Sequence, residues 1–208
     1  MNIRAVVAAL AIMAMPIQIA MANEDIASAA NALKSGNYSQ AMAMAQPLAE
    51  KGNPDAQLLM GIMYMRGLGI SKDMSMAYDM YRKAAEQGQA AAMHNLASMH
   101  YRGEGVRINF SEAREWNKKA AEAGLTIAQH DYAAMLESGV GGDRDLNGAA
   151  RYYQLAARGG YTNASYKLGR MLAGQNPQAS MRFLCQAASK NHAEAKKMLG
   201  PRIRNCRR

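Results

Sequence analysis

Residues 92–127 read AMHNLASMHYRGEGVRINFSEAREWNKKAAEAGLTI, and the same chemical text recurs through most of the chain. Aligned on its first alanine, the copies start at Ala56, Ala92, Ala128 and Ala164, each 36 residues apart, with a shortened fifth copy from Ala195. A fixed period of about 20–50 residues marks a solenoid, because one such unit cannot bury its apolar face alone and must stack on its neighbours. The expected fold is therefore all-α, a right-handed α-solenoid of about five stacked antiparallel helix pairs.

Within the copy, Ala92, Leu96, Ala97 and His100 form one helical stripe at i, i+4, i+5 and i+8. The fifth position is always large (Met60, Leu96, Tyr132, Leu168) and the sixth always Gly or Ala (Gly61, Ala97, Ala133, Gly169). A small residue beside a large one lets a partner helix approach closely. A glycine pair (Gly67/Gly69, Gly103/Gly105, Gly139/Gly141) then ends the helix, and Asp73, Asn109 and Asp145 are N-caps for the next. The inner face of that second helix is Ala77, Met80, Tyr81, Ala84 and Ala85, repeated as Ala113, Trp116, Asn117, Ala120 and Ala121, then as Ala149, Tyr152, Tyr153, Ala156 and Ala157. Gly88, Gly124 and Gly160 close it, and Asn191 takes that place in the fourth copy. Asparagine is the next-best residue for a left-handed cap, so the backbone demand persists where glycine does not.

The chain divides into residues 1–22, a divergent helix pair over 23–53, the repeats with a C-terminal half-repeat over 54–199, and a basic tail over 200–208. A first helix is expected over 24–34, and Asn53-Pro54 opens the first full repeat with proline at the first helical position. The fourth copy loses five residues as its loop shrinks to Gly174-Gln175-Asn176-Pro177.

These motifs resemble the Sel1-like repeat, a relative of the tetratricopeptide repeat, whose pattern is A-x-x-x-L-G-x-x-Y, then G-x-G-V, then K-A-x-x-W-Y-x-K-A-A-x-x-G. AQLLMGIMYMRGLGI at 56–70 and MAYDMYRKAAEQG at 76–88 come close to it, and the likeness runs over about residues 36–199. Departures are His100 in place of the tyrosine and Met76, Glu112 and Gly148 in place of the lysine. The resemblance implies a non-enzymatic adaptor, acting in signalling, secretion or envelope-polymer assembly. Some cysteine-rich exported relatives are described as binding or hydrolysing β-lactams. They carry a cysteine pair in every repeat, and this chain has 2 cysteines in all, so that carry-over fails.

Residues 1–22 read as a cleavable export signal: Arg4, an apolar run from Ala5 to Met15, and a small-x-small junction before cleavage between Ala22 and Asn23. The run is too short to span a membrane, which takes about 20 apolar residues, and no later segment qualifies as a transmembrane span. The expected location is the bacterial periplasm or outside the cell. Formal net charge is +9, or +8 after removal of Arg4. Seven of the positive charges lie between Lys190 and Arg208 against Glu194 alone. Such an end either caps the solenoid as a solvated tail or meets an anionic partner, with an envelope glycan such as peptidoglycan or exopolysaccharide the class that suits the compartment. Binding of that kind is salt-sensitive and is lost on removing residues 200–208. Nucleic acid fits the charge but not the compartment. Cys185 and Cys206 make an even count in an exported chain, which favours a disulfide folding the tail back; the other reading is two separate thiols.

No nucleophile elbow, zinc-protease motif or phosphate loop is present, so no catalytic, cofactor or metal residue is assigned. The expected function is a protein-interaction scaffold that holds a peptide or protein in its concave groove. By analogy with tetratricopeptide repeats the first helix of each pair lines that groove. The outward positions are then Leu58, Ile62 and Met65; His94, Ser98 and Tyr101; His130, Ala134 and Glu137; Tyr166, Arg170 and Ala173. Such a groove is apolar at one end and polar and aromatic further along, which suits an amphipathic helix or an extended peptide. His94 and His130 share a register, which admits metal binding or pH sensing, although neighbouring repeats lie about 10 Å apart, far for a shared metal. The 18 methionines include Met60, Met63, Met65, Met74, Met76 and Met80; thioethers bind Cu(I), but at repeat core positions they read as packing or an adaptable face.

Overall fold

A computed structural model describes residues 24–207; the expected export signal and its expected Ala22–Asn23 junction lie outside them. The described residues form helices and no strands, in two compact units, one ending at Ala92 and the other starting at Met93. The first holds α1 (24–34), α2 (Tyr38–Glu50), α3 (Pro54–Arg66) and α4 (Met74–Glu86). α5 (Ala90–Arg102) starts there and has its remaining turns in the second unit. The second continues with α6 (Phe110–Glu122), α7 (Thr126–Ser138), α8 (Leu146–Arg158), α9 (Thr162–Leu172), α10 (Pro177–Ser189) and α11 (Ala193–Leu199), and a 3₁₀ segment from Gly200 to Arg207. Each helix packs on the next, α2 on α3 and α3 on α4 in the first unit, and α6 through α11 in turn in the second.

The helix starts follow from short polar side chains. Asp73 accepts from the amides of Ser75 and Met76, Asn109 from Glu112 and Asp145 from Gly148, each satisfying donors that no helical carbonyl can reach. Asn53 and Asn176 do the same ahead of Pro54 and Pro177. Each long loop is also shut by one recurring bond: the amides of Asp73, Asn109 and Asp145 donate to the carbonyls of Tyr64, His100 and Leu136 at 2.9–3.0 Å. The ends of the second helices share another. Gln89, Leu125, Tyr161 and His192 reach back five residues, to Ala84, Ala120, Ala156 and Ala187. The residue before each has positive φ: Gly88 at 92°, Gly124 at 89°, Gly160 at 87° and Asn191 at 64°. Asn191 is the one non-glycine with positive φ among the described residues, at the place the repeat register assigns to it.

Packing follows the small-beside-large pattern. Ala56, Ala92, Ala128, Ala164 and Ala195 are all fully buried. A methyl placed on Gly61 would stand 2.5 Å from the Tyr81 ring, and one on Gly169 would stand 2.8 Å from Leu184. The glycines thus set how closely the paired helices approach. The second glycine of a loop pair makes room for a neighbouring helix start instead. Gly69 lies against Tyr38 at the start of α2, and Gly141 against the Phe110 carbonyl at the start of α6. Tyr81 and Tyr153 are fully buried, whereas Met80 and Trp116 on the expected inner face are only half covered. Trp116 instead carries the Lys119 ammonium 4.2 Å above its ring.

The C-terminal end is folded back. Cys185 on α10 is bonded to Cys206 in the 3₁₀ segment, 21 residues on. In the chain-entropy view a loop of that size contributes roughly 3 kcal/mol. α11 docks beneath it through Ala195 and Leu199, which join Leu184, Ala187 and Ala188 in one apolar cluster. The half-repeat therefore closes on its own helices.

Candidate functional site

In the first unit, Leu58 and Ile62 line an apolar cavity of about 260 Å³ with Ile26, Ala27 and Ala30 of α1. The divergent first helix thus forms one wall of the groove's expected apolar end. Met65 is half-buried, and its sulfur accepts from the Tyr81 hydroxyl at 3.7 Å.

In the second unit the outward positions of successive repeats are tied together by charge. His94 Nε2 lies 2.9 Å from one Asp131 oxygen, and His130 Nδ1 lies 2.9 Å from the other. Burial alone would raise the Asp131 carboxyl. Hydrogen bonds from His130 and His94 outweigh it and bring the group down to about 2. His130 also leans on the rings of Tyr161 and Tyr153, at 4.7 and 5.6 Å. Nearly two turns along α7, Glu137 accepts from the Tyr153 hydroxyl at 2.8 Å and from Arg170 at 2.6 Å, with the Lys167 ammonium at 3.5 Å. Burial again opposes ionisation of Glu137, and the Tyr153 hydrogen bond with the two cations overcomes it, so its pKa is lowered. Tyr153 moves the other way, raised first by burial and then by the carboxylate it donates to. Tyr166 stacks on His192 at 4.6 Å, which in turn bonds Asn163.

The expected outward residues thus form a ladder of two charged clusters, His94 and His130 on Asp131 and Arg170 on Glu137, linked through Tyr153, whose ring meets His130 and whose hydroxyl donates to Glu137. Asp131, the centre of the first cluster, is absent from the sequence-derived set. The signal for it is one register step away: the positions after Leu58, His94, His130 and Tyr166 read Leu59, Asn95, Asp131 and Lys167. The charged pair there is visible in the chain, but which neighbour it meets depends on how one repeat is offset against the next.

Ser98 and Tyr101 have a different setting. They border a cavity of about 280 Å³ whose buried floor is Ala97, Asn117 and Met135, with Asp131 at its edge. Asn117 occupies the register place of Tyr81 and Tyr153. Its Nδ2 donates to the Met135 sulfur at 3.5 Å, and its Oδ1 has no hydrogen-bond partner among the described residues.

No helix among the described residues is long and apolar enough to cross a membrane. The Sel1 repeat family model matches residues 54–89, 90–125, 126–161 and 162–192, in the 36-residue register read from the sequence. Comparison with curated proteins returns no match. Among solved structures, a Sel1 repeat protein from Oxalobacter formigenes is 31% identical, with a TM-score of 0.78 over 83% of this chain and 73% of the other. The protective antigen c5321 of uropathogenic Escherichia coli, which displays the SLR fold, is 27% identical with a TM-score of 0.76, over 78% of this chain and 36% of that longer one. A Sel1 repeat protein from Klebsiella pneumoniae shares the fold at 21% identity and a TM-score of 0.55, over 90% and 93% of the two chains. Proteins of this kind are generally non-enzymatic scaffolds whose repeats mediate protein interactions. With four matched repeats covering most of its length, the chain belongs to the Sel1 repeat family.

Proposed function

We propose that this protein is an exported interaction scaffold of the bacterial periplasm that holds a peptide or protein segment along the outward face of α5, α7 and α9. The ladder supports this reading. His94, Asp131, His130, Glu137 and Arg170 are half-buried or exposed and held in fixed geometry by one another. A preformed polar surface loses little entropy when a partner docks, so its hydrogen bonds go to affinity and register. The signal-like residues 1–22 support the location, and the even cysteine pair, bonded here, is at home in an oxidising compartment.

The test is photocrosslinking in living cells from a reactive residue placed at His94 or at Tyr166, with adducts identified by mass spectrometry. A single dominant protein adduct from these sites is the expected outcome. No protein adduct from either would overturn the reading and turn attention to the basic C-terminal end and an anionic envelope polymer.

A further inference from the structure

The cavity over Asn117 stands at the register place that a tyrosine occupies in the first and third repeats. In the first repeat the Tyr81 ring fills the corresponding place and is fully buried against Gly61; in the third, Tyr153 fills it and is fully buried as well. In the second repeat the register supplies Asn117, a short amide instead of a phenol ring, and a cavity of about 280 Å³ stands beside it. Asn117 is 7% exposed, and its Oδ1 is a buried acceptor with no partner among the described residues. A buried acceptor has lost its water without replacement, so a group that donates to it gains more there than at the surface.

The surroundings of the mouth are as unusual as its floor. Six large apolar side chains are exposed among the described residues, and three of them, Tyr101 at 47%, Ile108 at 58% and Phe110 at 44%, lie within ten positions of one another. Tyr101 borders the cavity and meets Phe110 edge-on at 5.2 Å. An exposed aromatic cluster beside a pocket with a buried polar floor is what surrounds an anchor residue at a protein interface.

We infer that this cavity takes a tyrosine side chain presented by the partner polypeptide, which completes the second repeat from outside. The repeats themselves supply the template, since a phenol ring is what the same backbone encloses at Tyr81 and Tyr153. Those rings come from within and direct their hydroxyls outward, to Met65 and Glu137. A ring entering from solvent leads with its hydroxyl, and Asn117, whose Oδ1 is closed to solvent as it stands and whose Nδ2 rests on the Met135 sulfur, turns its amide to meet it. A phenol hydroxyl both donates and accepts, so it satisfies either end of that amide. Ala97 and Met135 pack its faces, and Tyr101 with Phe110 holds the flanking residues of the peptide.

The inference rests on the scaffold reading above but is tested apart from it. The probe is p-cresol, the tyrosine side chain in isolation, titrated into the chain from Asn23 onward while the methyl signals of Met135 and Ala97 are followed by NMR, with toluene as the control. p-Cresol is expected to shift both methyls saturably and to bind about fivefold more tightly than toluene, the worth of one hydrogen bond. Asn117→Tyr fills the cavity from within; it should fold, melt at a higher temperature, and abolish the p-cresol response. Asn117→Leu keeps an apolar floor and should erase the preference for p-cresol over toluene. In cells, Asn117→Tyr should remove the partner adduct obtained from His94. Absence of p-cresol binding, binding that Asn117→Tyr leaves unchanged, or an adduct that survives Asn117→Tyr would each overturn the inference. The adduct itself, in the unsubstituted chain, judges the scaffold reading alone.

Discussion

Asn191 shows how a single backbone angle can be inferred before any coordinates. Glycine ends the second helices at Gly88, Gly124 and Gly160 because a Cβ there collides with the neighbouring carbonyl, and asparagine is the residue that next best tolerates it. At φ 64° Asn191 meets that demand, and its side chain also accepts from Lys196 at 2.7 Å. Asn191→Ala removes that tolerance and should cost about 1 kcal/mol, read by urea unfolding. Asn191→Gly should stay within about 0.5 kcal/mol of the parent, since the backbone gain offsets the lost side-chain bond. The tyrosine register is equally plain in the chain, and so is its break at Asn117. What the chain alone withholds is whether a neighbouring side chain swings in to fill the space.

Between elements, the ladder couples α5 to α7 and α7 to α8 and α9. Its pH response follows from Asp131, whose pKa of about 2 is below the ordinary carboxylate value of 3.8. A group depressed on folding contributes stability in full above its unfolded pKa and loses it as pH falls toward the folded one. The contribution is therefore complete above about pH 4 and is lost between about pH 4 and pH 2. Asp131→Asn should melt below the parent at pH 6, and the gap should close as the comparison is carried down to pH 2. A gap that held constant with pH would show that the pair contributes by shape rather than charge. These helices and their caps are legible because each depends on residues close in sequence. The pairing of His94 with Asp131 is not, because it spans 37 positions and depends on helix offset.

At the scale of the molecule, the period itself makes a prediction. Each repeat meets only its neighbours, so stability is close to a sum of repeat and interface terms. Deleting residues 126–161 joins Leu125 to Thr162 in register, and the shortened chain should keep its helical signal per residue and unfold in one transition by circular dichroism. Deleting only residues 126–143 brings two non-equivalent helix faces together and should leave a chain without cooperative unfolding.

The order of residues is enough to read off the repeat, the two helices in each copy, their caps and the buried alanines, all of which depend on local geometry, while it leaves Cys185 and Cys206 either bonded or as two thiols, and the folded C-terminal end shows them bonded. Packing between helices settles the rest: that α1 walls the cavity at Leu58 and Ile62, that Asp131 gathers two histidines, and that a cavity stands over Asn117 at the register place of a tyrosine. The physical reason is one of range. A cap or a stripe is satisfied within a turn or two of its own helix, whereas a cavity or an ion pair exists only where side chains from separate helices meet, at distances the packed backbone sets.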